Sequence, residues 1–329
     1  MIRVGIVGGA GYTAGELIRV LVNHPQAEIV FVNSQSNAGN PVSSVHAGLT
    51  GDCDLTFTDA LPLDAIDVLF LCTAHGDSSK FLAANGMADE NGQVTLPAGL
   101  KVIDLAQDYR DESQGFVYGL PELNRSRIAA TDRLANPGCF ATCIQLALLP
   151  LAAAGLLHDE VHVQAITGST GAGVKPSATS HFSWRNDNIS VYKAFTHQHL
   201  IEIGRNLRLL QPSFDKDVNF VPMRGDFARG IFASVYTSCP LGQEEAQRLY
   251  EDYYRDAAFT HVCPANIDMK QVVNTNKALV HVEKHGDKLL VLSTIDNLLK
   301  GASGQAVQNM NLMSGLDETC GLRLKNIGF

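Results

Sequence analysis

Long apolar runs are missing from this chain. No stretch approaches the roughly 20 consecutive apolar residues that span a bilayer. The opening segment Met1-Ile2-Arg3-Val4-Gly5-Ile6-Val7 reads as a strand, without the apolar region and cleavage site of a signal peptide. No membrane partner and a cytoplasmic location are therefore expected. Excess positive charge is missing as well: 25 Lys and Arg stand against 34 Asp and Glu, a net charge of −9. Nucleic acid is not an expected partner, because that binding rests on clustered cations. Cysteine is scarce and scattered, with seven residues, an odd number, and no CxxC pair. That excludes a disulfide framework. Cys139 and Cys143 lie four apart but have no second ligand pair nearby, so no metal is expected.

The 329 residues suit two domains, and 45% hydrophobic against 18% charged residues leaves enough apolar material for two cores. Ile2 to Val7, Glu28 to Val32, Val68 to Cys72 and Lys101 to Leu105 read as buried strands. Between the first two lies a helical pattern carrying Leu17, Ile18, Leu21 and Val22, ended by His24-Pro25. Strands alternating with helices predict a Rossmann-type, doubly wound α/β domain. After Asn136-Pro137-Gly138 the pattern changes. A helix from about Phe140 to Leu157 precedes strands at Val161 to Thr167, Gly230 to Ser238, Ala278 to Val282 and Leu289 to Thr294. Few clear helices separate the later strands, which predicts an α+β domain with a mixed sheet. Gly301 to Leu312 reads as helix again. Phe182 and Trp184 are expected to pack in a core by default.

A dinucleotide turn needs a sharp bend, close backbone approach to the pyrophosphate and a helix N-terminus aimed at the negative charge. Gly9-x-Gly11-x-x-Ala14, directly after a strand and opening a helix, meets that need, with Gly8 beginning the turn. NAD-selective sites place a carboxylate after the second strand. Here the segment is Asn33-Ser34-Gln35-Ser36-Asn37. It has no carboxylate, and Ser34 and Ser36 are suited to a 2′-phosphate, so NADP is expected as cofactor.

Cys139 follows Asn-Pro-Gly and opens the long helix. The positive end of a helix lowers a thiol pKa from about 8.5 into the ~3.5–7.5 range, and the thiolate is the nucleophile. A small packed residue is an equal reading on this evidence alone. Cys143, one turn further in, reads as core. A thioester-forming cysteine needs a proton-transfer partner, and His197-Gln198-His199 is the densest cluster among 11 histidines.

With these residues set out, the chain closely resembles the N-acetyl-gamma-glutamyl-phosphate reductases of arginine biosynthesis, from its first strand to its C-terminal helix. The matching segments are Gly8-x-x-Gly11-Tyr12-Thr13, Asp104-Leu105-Ala106-Gln107-Asp108-Tyr109-Arg110 and Tyr118-Gly119-Leu120-Pro121-Glu122. Further along come Asn136-Pro137-Gly138-Cys139-Phe140-Ala141-Thr142, Gly171-Ala172-Gly173 and Asp296-Asn297-Leu298-Leu299-Lys300-Gly301-Ala302. The resemblance implies NADPH-dependent reduction of an acyl phosphate to a semialdehyde through a Cys139 thioester. It implies His197 as catalytic histidine, His199 as its neighbour in the substrate site, and Tyr12, Thr13, Gly171 and Asn297 beside the cofactor. It implies a homodimer or homotetramer. The C-terminal helix would return to the nucleotide domain, giving 1–138 plus 301–329 as the NADP-binding domain and 139–300 as the catalytic domain.

Three positions depart from the family pattern. Ala14 replaces a common glycine, Val174-Lys175 stands where the family has arginine, and Gln198 replaces the arginine of a His-Arg-His cluster. Arg110, Lys175, Arg185, Arg224 and Arg229 are candidate substitutes for the lost anion contacts, with Arg110, Lys175, His199 and Arg229 taken as the substrate side. The group on the substrate nitrogen stays open. The nearest enzyme alternative is an aspartate-semialdehyde dehydrogenase, and the non-enzyme alternative is an NADP-binding regulator without catalysis.

Overall fold

The computed structural model of the chain describes residues 1–328. It divides into two compact units, one of Met1–Pro137 with Ala302–Arg323, the other of Gly138–Gly301 with the tail from Leu324. That tail was grouped with the first unit on sequence. It sits with the second, where the Asn326 side chain donates to the Lys270 carbonyl.

The first unit begins with strand β1 (Ile2–Val7), helix α1 (Tyr12–Leu21) and strand β2 (Ala27–Asn33). Strands β3 (Phe57–Thr58) and β4 (Val68–Leu71), helix α2 (Ser78–Ala84) and strands β5 (Lys101–Asp104) and β6 (Val117–Tyr118) follow. Helix α3 (Pro121–Ala129) and strand β7 (Arg133–Ala135) complete it. Among the described residues these strands form one parallel sheet in the order β3-β2-β1-β4-β5-β7-β6. Its central strands are apolar on both faces: Val4, Ile6, Leu69, Phe70, Val102 and Ile103 are fully buried. That is the pattern of a sheet covered by helices on each side. Order reverses beside β1, and a doubly wound sheet carries its ligand crevice at such a point. A helix from the far end of the chain, Gly304–Met313, packs on α1 and α3.

The second unit opens with helix α4 (Cys139–Ala153). Strand β8 (Val161–Thr167), helix α5 (Phe182–Arg185), strand β9 (Ser190–Val191) and helix α6 (His199–Leu210) come next. They are followed by strands β10 (Val218–Arg224) and β11 (Ile231–Ser238), helix α7 (Gln243–Tyr254) and strands β12 (Thr260–Cys263), β13 (Ala278–His285) and β14 (Lys288–Ile295). The returning helix of the first unit is therefore α8. The second sheet is mixed, in the order β12-β13-β14-β11-β8-β10-β9. Burial alternates along β8 and β11, so Val161, Val163, Ala165, Ile231, Ala233 and Val235 face inward. Helix α4 packs on this sheet and is buried from Phe140 to Ala152, as expected of a helix apolar on most faces.

Several elements depart from the sequence expectation. Helix α4 starts at Cys139 itself and ends at Ala153. Strand β10, which carries Pro222, was not among the expected strands. Phe182 and Trp184 do not pack in a core: they are 76% and 39% exposed. The four-residue α5 instead buries Arg185, whose guanidinium donates to the carbonyls of Thr179, Asn188 and Arg224.

Pro150 lies within α4 and has no N–H for the Leu146 carbonyl. The Tyr254 hydroxyl on α7 fills the gap, donating to the Leu146 carbonyl at 2.6 Å. Tyr254→Phe should cost about 1–3 kcal/mol in urea unfolding. In the Pro150→Ala background, where the helix supplies its own donor, the loss should be clearly smaller. Equal losses in both backgrounds would refute the compensation.

Candidate active site

In the first unit, Gly8 takes a positive φ of 78°, and a Cβ there would lie 2.4 Å from the Cys72 carbonyl oxygen. A Cβ on Gly9 would lie 2.4 Å from Val32 Cγ1. Gly11 is the N-cap of α1, with no side-chain cap and no acidic residue in the first turn. The helix therefore presents its first N–H groups and its positive end without a competing carboxylate. Tyr12 is exposed and Thr13 half-buried at that opening. His46 holds the loop from beneath, its Nε2 2.7 Å from the Gly9 carbonyl oxygen. Ser34 and Ser36 stand at the end of β2, both accepting from the Asn37 amide. These features fit a dinucleotide cradle. The part of His46 was not legible, since 37 residues separate it from the glycine.

In the second unit, Cys139 is the first residue of α4 and half-buried. The turn before it is pinned from α6. The Glu202 carboxylate accepts the Gly138 N–H at 3.1 Å, and a Cβ on Gly138 would lie 2.3 Å from His199 Nε2. From the other side, a Cβ on Gly301 would lie 2.9 Å from Cys139 Cβ, so only glycine lets that backbone pass the nucleophile. Cys143 is core, as its position implies: its thiol donates to the Ser293 carbonyl, and burial pushes it up to about 12.

His197 is buried among Phe140, Tyr192 and Phe220, at ring-centroid distances of 5.6, 5.8 and 5.4 Å. The His199 ring lies 4.5 Å away. The His197 Nδ1 accepts the His199 backbone N–H at 3.2 Å. A neutral ring with that acceptor carries its proton on Nε2. Burial first, then the cations Lys193 and Arg224, lower its pKa to about 4.

The remaining expected residues fall into separate groups. Asn297 accepts the Gly230 N–H and donates to Thr170, within the short turn that holds Gly171. Arg229 forks onto Asp296 at 3.1 and 3.2 Å. Arg110, in the first unit, donates to the Asn136 and Leu105 carbonyls. Lys175 is exposed on the loop after Gly173. Of the residues taken as the substrate side, His199 packs against Gly138, the residue before Cys139. Glu202 and Tyr192 complete the surroundings, and they were not identified on sequence because their partners lie far along the chain.

Residues 3–131 match the semialdehyde dehydrogenase NAD binding domain, and residues 139–297 match the semialdehyde dehydrogenase dimerisation domain. The chain belongs to the semialdehyde dehydrogenase family. It is accordingly an oxidoreductase with a nicotinamide-cofactor domain and a dimerisation domain. A protein of Bacteroides fragilis strain YCH46, named N-acetyl-gamma-glutamyl-phosphate reductase, is 62% identical over 100% of both chains. One from Flavobacterium johnsoniae with the same name is 54% identical, again over 100% of both. Aspartate semialdehyde dehydrogenase II of Vibrio cholerae shares the fold, with a TM-score of 0.73 at 16% identity over 96% of this chain and 98% of that one. The Candida albicans aspartate semialdehyde dehydrogenase with NADP gives a TM-score of 0.69 at 13% identity over 95% and 98%. Among the described residues, no helix of this semialdehyde dehydrogenase relative is long and apolar enough to cross a membrane.

The lowered His197 pKa has a consequence for stability. As pH falls, the unfolded chain, with a histidine pKa of about 6.5, takes up the proton before the folded one does. The contribution of neutral His197 is complete above about pH 6.5 and is lost toward pH 4. Urea unfolding at pH 7 and pH 4.5 should show wild type losing more stability than His197→Asn, by up to about 3 kcal/mol. Equal losses would contradict the burial argument.

Proposed function

We propose that this enzyme reduces N-acetyl-gamma-glutamyl phosphate to N-acetyl-glutamate 5-semialdehyde and phosphate, using NADPH, in arginine biosynthesis. The observation that carries this reading is Cys139 at the open end of α4, with His197, His199 and Glu202 packed around its turn. Full-length relatives named for that reaction support it.

The Cys139 thiolate attacks the γ-carbonyl carbon. A C–S bond forms, the C–O bond to phosphorus breaks, and phosphate leaves as a stable anion without needing a proton. The thioester that remains splits one difficult displacement into two easier steps. First-turn N–H groups of α4 and the His197 Nε2–H stabilise the tetrahedral oxyanion. His197 is neutral at working pH and serves as a hydrogen-bond donor, since giving up its remaining proton would leave an imidazolate. The nicotinamide cofactor supplies hydride when bound. Gly8, Gly9, Gly11, Tyr12 and Thr13 would hold its pyrophosphate, and Gly171 and Asn297 its nicotinamide end. The hemithioacetal alkoxide then expels the Cys139 thiolate and releases the aldehyde.

The absence of a carboxylate among Asn33-Ser34-Gln35-Ser36-Asn37 favours NADP. The chain is further proposed to act as a homo-oligomer through its dimerisation domain.

Cys139→Ser should lower phosphate-dependent NADP reduction with N-acetyl-glutamate semialdehyde by at least about a thousandfold, the scale for loss of a nucleophile. Wild type should show kcat/KM for NADPH at least about tenfold above that for NADH, about 1.4 kcal/mol of discrimination. Comparable rates for the two proteins would remove Cys139 from the chemistry. A preference for NADH would overturn the cofactor assignment.

A further inference from the structure

Arg224 ends β10, paired with Ser190 of β9 and Thr167 of β8. Its guanidinium carbon lies 4.6 Å over the Tyr192 ring. Its Nε is buried and makes no hydrogen bond. Among the described residues it forms no ion pair. The other cations expected near the substrate are differently placed. Arg229 is forked onto Asp296, and Arg110 and Arg185 donate to backbone carbonyls. Lys175 is exposed. Arg185 holds the Arg224 carbonyl, so the strand end that carries this guanidinium is itself braced.

Arg224 also belongs electrically to the nucleophile's surroundings. Its charge acts on both Tyr192 and His197, and Tyr192 also feels the charge of Cys139. Tyr192 takes a side-chain hydrogen bond from Arg224, but the buried Nε donor of the same guanidinium has no acceptor, and an unsatisfied buried donor is costly to keep. It is accounted for when a ligand supplies the acceptor, and the guanidinium fork matches the two oxygens of a carboxylate or phosphate.

We propose that Arg224 receives an oxyanion of the substrate, either the carboxylate of the glutamyl chain or the phosphate group, in place of the arginines missing at Val174 and Gln198. This rests on the reading of Cys139 as nucleophile toward an acyl phosphate. Tyr192 acts as the platform beneath the fork, and Arg185 as a positioning residue through the backbone.

The test uses the full-length enzyme in the oxidative direction, varying semialdehyde and phosphate separately, for wild type, Arg224→Met and Arg224→Lys. Thermal unfolding checks that each variant is folded. Arg224→Met should raise one KM by about 10- to 100-fold, the range for losing a charge-assisted pair, with a smaller change in kcat. Arg224→Lys should recover part of it. A rise in the semialdehyde KM assigns the carboxylate, and a rise in the phosphate KM assigns the phosphate. Both KM values within twofold of wild type, or a fall in kcat alone, overturn the proposal. If wild type does not turn over this semialdehyde, the substrate reading fails and Arg224 is judged by alkylation instead. Cys139 is then treated with iodoacetate and with neutral iodoacetamide, and iodide leaves as the S–C bond forms. A preference for iodoacetate that falls about tenfold or more in Arg224→Met supports the anion site. An unchanged preference refutes it.

Discussion

The hydrogen bond from the Gly138 N–H to the Glu202 carboxylate governs how the chain enters α4. Both groups are buried, so the bond is made where water does not compete for it. It fixes the turn, and the turn fixes Cys139 as the first helical residue. The same α6 helix brings His199 against Gly138, close enough that a side chain at 138 would overlap the imidazole. The nucleophile, the His199 imidazole and the Glu202 carboxylate are thus held by two helices meeting at their N-terminal ends, with His197 just ahead of the second. Gly301 closes the other side, on a turn of π-helix at Leu299–Ser303, and π-turns are frequently found where function needs an irregular backbone.

Asp296 supports that side. Its carboxylate takes the Arg229 fork and the N–H groups of Asn274, Leu298 and Leu299. The segment from Asp296 to Gly301 is therefore held by side chain and backbone together. Asn297 is tied in the same way to Gly230 and Thr170. Arginines that look on sequence like anion receptors are in this unit partly brackets for backbone, and the distinction lies in which donors are already engaged.

Local signals were legible in the sequence. The glycine turn after β1 and the Asn-Pro-Gly-Cys step into α4 depend on neighbours a few residues apart, and both strand-turn-helix contexts appear in the structure. The mixed second sheet was legible from its longer strands. What escaped was long-range. Strand β10, which carries Arg224, was not among the expected strands, and it is held by pairing with β8 and β9, which lie well before it in the chain. Glu202, Tyr192 and His46 gain their roles only when distant segments meet. His197 was singled out by the dense HxH spacing and by resemblance. Its aromatic surroundings, which decide its charge, come from Phe140, Tyr192 and Phe220 on three different segments. The exposed Phe182 and Trp184 show the reverse failure, where an apolar residue type suggested a core that a four-residue helix does not supply.

The central claim is that Cys139 carries the acyl group. Mixing the enzyme with NADP and N-acetyl-glutamate semialdehyde, with phosphate withheld, tests it directly by stopped-flow absorbance and intact-protein mass spectrometry. The account predicts a burst of one NADPH per active site and a hydroxylamine-labile acyl adduct on Cys139. Continued turnover without any adduct, or an adduct on another residue, would contradict it.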